Sequence, residues 1–191
     1  GTVDAGGARL FVAKLYGYAS WEELVAGAAH PPARDGRRST PPFYNVDWKA
    51  RWIEVRPPLA EGDWDEVIGI VREHGIEELR SAGQMTDAVL RRVADVRGIR
   101  RLQLEGSWRV SDEGLRAVAR MQSLESLNLT GCGVTDSGLA ALRELGGLRE
   151  FQMFHHRGVS DAGLSHLSGC ARLERVELLG SASGDGVIRA L

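Results

Sequence analysis

LESLNLTGCGVTDSGLAALRELGG, residues 124–147, is written four more times around itself with small changes. Aligned on their apolar positions, the copies begin at Ile76, Ile99, Leu124, Leu148 and Leu173, at steps of 23, 25, 24 and 25 residues. A fixed period of that size marks a chain built by repetition. The copies open with apolar residues at their first, fourth and sixth positions, as in Leu124, Leu127 and Leu129, then Ile99, Leu102 and Leu104, or Leu148, Phe151 and Met153. The fourth and sixth keep the period of two of a short strand with one buried face, and the first tucks under the preceding helix as the chain enters the strand. A Gly-containing turn follows. Then comes a Ser/Thr-Asp pair, Thr86-Asp87, Ser111-Asp112, Thr135-Asp136 or Ser160-Asp161, where a short polar side chain can accept from the free N–H groups of a helix start. Apolar residues next recur every three, as in Leu115, Val118 and Met121 or Leu139, Leu142 and Leu145, which gives a turn or two of helix with one buried stripe. Strand and helix of this size cannot bury both faces alone. Neighbouring units must stack, with strands forming a parallel sheet on a concave side and helices on the convex side. The expected fold is an α/β solenoid of five units over residues 76–191, the last incomplete, behind an N-terminal helical and hairpin cap.

The wording GCGVTDSGLAAL, with SDEGL and SDAGL in the flanking copies, resembles the cysteine-containing (TDxGL) leucine-rich repeats of F-box-type substrate receptors and their bacterial effector relatives. The likeness covers residues 76–191. It implies a leucine-rich-repeat fold and a bacterial scaffold protein. The family's ubiquitin-ligase role resides in an F-box that this sequence does not contain. Two columns depart from the family pattern. The Gly before the first helical Leu (Gly114, Gly138, Gly163) is Val89 in the first unit and Val187 in the last, and the turn Gly (Gly83, Gly106, Gly131, Gly180) is His155 in the fourth.

Composition narrows the function classes. With 43% hydrophobic and 26% charged residues, a chain of 191 residues suits one extended soluble domain or a solenoid plus a cap. The first 60 residues carry 8 basic and 6 acidic side chains and the rest 16 and 20, so neither part has the basic footprint of a nucleic-acid binder. No apolar run approaches the roughly 20 residues that span a membrane. Cys132 and Cys170 are two units apart on opposite edges of the expected sheet, so both are expected reduced, as in a cytoplasmic protein. Because Leu191 stops inside the fifth helix, the native chain is expected to continue with further repeats, or two such ends to meet.

Ahead of the repeats, residues 1–29 read as a helical hairpin. Its segment ARLFVAKLYGYASWEELVAGAA, residues 8–29, holds two amphipathic helices parted by Gly17, the second opening with Ser20 and Glu23 in capping-box spacing. The wording resembles the helix pair that ends ankyrin-repeat arrays in bacterial proteins. Residues 30–42, HPPARDGRRSTPP, form a Pro/Arg-rich linker, read either as a solvated connection or as a docking peptide. Residues 43–75 form a hairpin-plus-helix cap, with FYNVDWKARWIEV as two strands closed by Pro57 and Pro58. In the helix that follows, Asp63 and Glu66 are spaced as an acidic capping box and Gly75 stands at the C-terminal end. Trp48, Trp52 and Trp64 are expected to pack this cap against the first repeat.

Positions three, five and seven of each unit should line the concave face, which would pair Glu78 with Arg101 and Glu150 with Arg175 across adjacent strands. Position nine reads Ser107, Cys132, His156 and Ser181. A Cys beside a His could be a nucleophile and its base, but in this repeat family the column turns inward to bond turn backbone, and no third group orients the His. Metal binding by His155, His156 and Cys132 lacks a fourth ligand at suitable spacing. The second and fourth units each carry an extra residue after the strand, EGSWR and FHHRG against TGCG between them. A notch results over the floor of Gly131 and Gly133, walled by Trp108 and Arg109 on one side and Phe154, His155, His156 and Arg157 on the other. Leu179 beside Phe154 extends its apolar rim. The reading is a non-catalytic protein–protein interaction module without cofactor or metal, whose partner is a protein and not a nucleic acid or membrane. A substrate-receptor or effector subunit of a ligase-type complex is the second reading, and a Cys-His hydrolase or thiol enzyme the third.

Overall fold

The computed structural model describes residues 43–57, 59–154, 156 and 158–179. The helical hairpin of residues 1–29, the linker of residues 30–42, and Pro58, His155, Arg157, Gly180, Ser181, Val187 and Leu191 lie outside the described residues. The described chain is α/β. Its seven strands are β1 (Tyr44–Asp47), β2 (Trp52–Val55), β3 (Glu78–Arg80), β4 (Arg101–Gln103), β5 (Ser126–Asn128), β6 (Glu150–Phe154) and β7 (Arg175–Leu179). They form one sheet in chain order, antiparallel between β1 and β2 and parallel from β2 onward. Five α-helices alternate with the parallel strands: α1 (Asp63–His74), α2 (Asp87–Ala94), α3 (Asp112–Val118), α4 (Asp136–Leu139) and α5 (Asp161–Leu164). The last two run on as 3₁₀ turns, Ala140–Glu144 and Ser165–Gly169.

Register explains the repeat. Ile53, Leu79, Leu102, Leu127, Phe151 and Val176 face one another strand by strand, so the fourth position of every unit stacks in one apolar file. That file is fully buried from Ile53 to Phe151 and only half-buried at Val176. The sixth position repeats the pattern with Leu104, Leu129 and Met153. Ser81 stands in that column in the first unit, fully buried, with its hydroxyl 2.8 Å from that of Ser107.

The Ser/Thr of each Ser/Thr-Asp pair caps its helix, accepting from the N–H of Val89, Glu113, Ser137 or Ala162. The Asp reaches further. Asp87 accepts from both the N–H and the hydroxyl of Ser111, Asp112 from those of Thr135, and Asp136 from those of Ser160, at 2.6–2.9 Å. Each unit thereby clamps the next. A Cβ on Gly114, Gly138 or Gly163 would lie only 2.4, 2.3 or 2.1 Å from the carboxylate oxygen of the preceding Asp, so glycine is the residue that admits the clamp. Val89 occupies this column where the preceding element is the long helix α1 rather than a Ser/Thr-Asp turn.

Two expectations for residues 43–75 need correction. Asp63 and Glu66 do not form a capping box: the N-cap of α1 is Gly62, without a side-chain bond. Asp63 instead accepts from the Ala60 N–H at 2.7 Å, and Glu66 from the Tyr44 hydroxyl at 3.2 Å, which ties the helix to β1. Trp64 is buried in the core and Trp52 lies 4.3 Å under the Arg80 guanidinium. Trp48, by contrast, is 57% exposed, since it rides the hairpin turn, where its ring meets that of His74 edge-on at 5.0 Å.

Candidate functional site

The turn after β4 is folded by its own backbone. The Ser107 N–H donates to Leu104, the Val110 N–H donates to Ser107, and Gly106, at φ 73°, donates to Thr130 of the next unit. Ser107 points inward, its hydroxyl accepting from the Met85 N–H at 3.4 Å. With Ser107 committed inward, Trp108 is driven out, 68% exposed, and the Arg109 guanidinium sits 5.0 Å over its ring. The next turn packs closely against this one at its two glycines. Gly131 stacks on Gly106, and a Cβ on Gly133 would strike the Trp108 carbonyl oxygen at 2.7 Å.

Phe154 ends β6, half-buried, with its N–H donating to the Thr130 hydroxyl at 3.2 Å and with Leu179 of β7 as its register partner. Trp108 lies in the turn after β4 and Phe154 ends β6, and those two strands lie about 10 Å apart across the sheet by strand spacing. His155 and Arg157 lie outside the described residues. His156 does not form a wall. It is 7% exposed, and its Nε2 lies 2.6 Å from the Cys132 carbonyl oxygen, so Nε2 carries the proton and donates inward across units.

The inward column is chemically quiet. The Cys132 thiol donates to the Leu104 carbonyl at 3.4 Å, and burial pushes its pKa up to about 12 despite a bond from the Ser107 backbone. At neutral pH it is a thiol, without the thiolate a nucleophile needs. Cys170 donates likewise to Leu142 at 3.2 Å, and burial raises its pKa too; both cysteines are free. Among the described residues no group of three or more His, Cys, Asp or Glu could hold a metal ion, and no helix is long and apolar enough to cross a membrane.

The sheet face that carries Glu54, Arg80 and Gln103 holds a shallow depression of about 400 Å³, lined also by Glu78 and Glu105. Glu78, 8% exposed, sits between Arg80 at 2.6 Å and Arg101 at 2.8 Å. Burial pushes its carboxyl up, but the two guanidinium hydrogen bonds outweigh that and hold it below the usual value. Glu150 and Arg175 are register partners without an ion pair between them. A different column holds the ladder, at the second position of each unit. Arg51 pairs with Glu77 at 2.7 Å, Arg100 with Glu125 at 2.5 Å and Arg149 with Glu174 at 2.5 Å. The alternation of Glu77, Arg100, Glu125, Arg149 and Glu174 is the sequence signal for it.

Residues 120–142, from the end of the second unit through the strand and helix of the third, match the leucine-rich repeat family. No curated protein matches the chain. This stretch has leucine-rich-repeat character, and repeats of that family in general serve as protein-interaction modules.

Proposed function

We propose that this chain is a non-catalytic protein-interaction module, a leucine-rich-repeat solenoid of the cysteine-containing type over residues 76–191 capped by residues 43–75. The inward thiol of Cys132 on the preceding turn and the clamp that needs glycine at 114, 138 and 163 support the subtype. The β1–β2 hairpin beside β3, with α1 over the same end, supports the cap. The protonated, carbonyl-bound state of Cys132 supports a non-catalytic reading, since the Cys-His pair has its His donating to backbone rather than to sulfur.

The partner segment is proposed to bind at the turn edge, against Trp108, Arg109 and Phe154, with Leu179, His155 and Arg157 completing the contact. One observation carries this placement. Trp108 is the most exposed large apolar side chain among the described residues, and the next turn meets its backbone at Gly133, where no side chain intervenes. An exposed aromatic with a stacked arginine is the residue chemistry that dominates interface energetics. The test is affinity capture with the intact chain and with Trp108→Ala and Phe154→Ala. Proteins captured by the parent should be retained roughly 5- to 150-fold less tightly by the variants, about 1–3 kcal/mol. Proteins that survive both changes and are lost on Arg101→Ala with Gln103→Ala would place the site on the concave face instead.

A further inference from the structure

Strand β7 is the open edge of the sheet, paired with β6 on one side and with no other strand among the described residues. Leu173, Val176 and Leu178 pack on the end of the core yet stay half-exposed, whereas their counterparts Leu148, Phe151 and Met153 are fully buried. A half-covered apolar layer next to a row of backbone groups without a partner among the described residues is a template for one more strand. The Arg175 N–H donates to Arg149 on the β6 side. Polar groups alternate along a strand, so the N–H and C=O of Val176 face the open side.

We infer that this edge is a self-pairing surface on which β7 of a second copy lies antiparallel, related by a two-fold axis through Val176. Charge selects the occupant and the register. Arg175 is exposed and makes no side-chain bond among the described residues, and Glu177 uses only Oε2, accepting from Gln152 at 3.0 Å. In a two-fold pairing centred on Val176, Val176 exchanges both backbone bonds with its copy, and Arg175 faces Glu177 of the second copy twice over, on the concave side. Centring on Arg175 or on Glu177 sets like charges opposite each other, which destabilises a pair of strands. The edge is thus complementary to itself in one register, as a two-fold interface requires. It also extends the apolar file from Ile53 to Val176 into the second copy.

The experiment is sedimentation equilibrium of the full chain, with thermal melts of every variant as a folding control. The parent chain should show twice its 20.8 kDa mass at high micromolar concentration. Arg175→Glu and Glu177→Arg should each weaken association by roughly tenfold or more, since each sets like charges opposite. The double exchange R175E/E177R should restore it. A parent chain that stays monomeric, single variants that associate as well as the parent, or a folded double exchange that fails to recover would each overturn the inference.

Discussion

The two ends of the sheet carry the same kind of side chain in the same register and bury it to different depths. At the N-terminal end Ile53 is fully buried because β1 lies beyond it, with Val46 in register, and because α1 packs over the same end. At the C-terminal end Val176 occupies the equivalent place, half-exposed, with nothing paired beyond β7 among the described residues. The hairpin is also tied down at its turn. Arg51 donates from Nε to the Gly75 carbonyl at 2.9 Å, and its own carbonyl accepts from the N–H groups of Glu77 and Glu78. One end is therefore finished by elements of different design from the repeat, and the other presents the repeat itself. A repeat array is stabilised by each unit's contact with its neighbours, so equal substitutions at the two ends should have unequal costs.

The largest expected difference follows directly. Ile53→Ala should cost about 2–5 kcal/mol, and Val176→Ala under about 1 kcal/mol, measured by denaturant unfolding in dilute protein. Equal costs would break the comparison. The clamp between units should come next. Gly138→Ala drives a Cβ to 2.3 Å from Asp112 and should cost about 1–3 kcal/mol. At Val89, where the column already carries a side chain, Val89→Ala removes only packing.

The clamp also sets an acid limit. Bonds from Ser160, chiefly its hydroxyl, hold the Asp136 carboxyl below its usual value against the opposing effect of burial. A group whose folded value is depressed contributes stability above its unfolded value, near pH 4, and loses it as pH falls through the folded one. Melting temperature followed from neutral to about pH 3 should fall less steeply in Asp136→Asn than in the parent. The smallest effect belongs to Trp108. Trp108→Ala should change stability by no more than about 0.5 kcal/mol, which separates a binding role at the turn edge from a structural one.

The strands and their buried faces were legible in the sequence because the first, fourth and sixth positions repeat without a break from Ile99 to Met153. The caps Thr86, Ser111, Thr135 and Ser160 were legible because a helix start needs an acceptor within three residues. The clamp was not, since Asp112 finds Thr135 23 residues away and the pairing appears only once the units are in register. Trp108 and His156 show the same limit at the site. Both sit in turns after strands, and what decides in or out is the hydrogen bond each turn offers. Ser107 takes the inward place in one, leaving Trp108 outside, and the Cys132 carbonyl draws His156 inward in the other. The second-position ladder was present in the letters. It escapes a reading confined to the odd-numbered concave columns.

Backbone amide exchange by NMR, repeated at several protein concentrations, tests the contrast between the ends most directly. The amides of Ile53 and Val55 should exchange as slowly as those of Leu102 and Leu127 at every concentration. In dilute protein the amides of Val176 and Leu178 should exchange at least roughly tenfold faster than these, and slow as the concentration rises and a second edge pairs with the first. Slow exchange at Val176 and Leu178 in dilute protein, unchanged on concentration, would show that the C-terminal edge is already covered and would contradict the account.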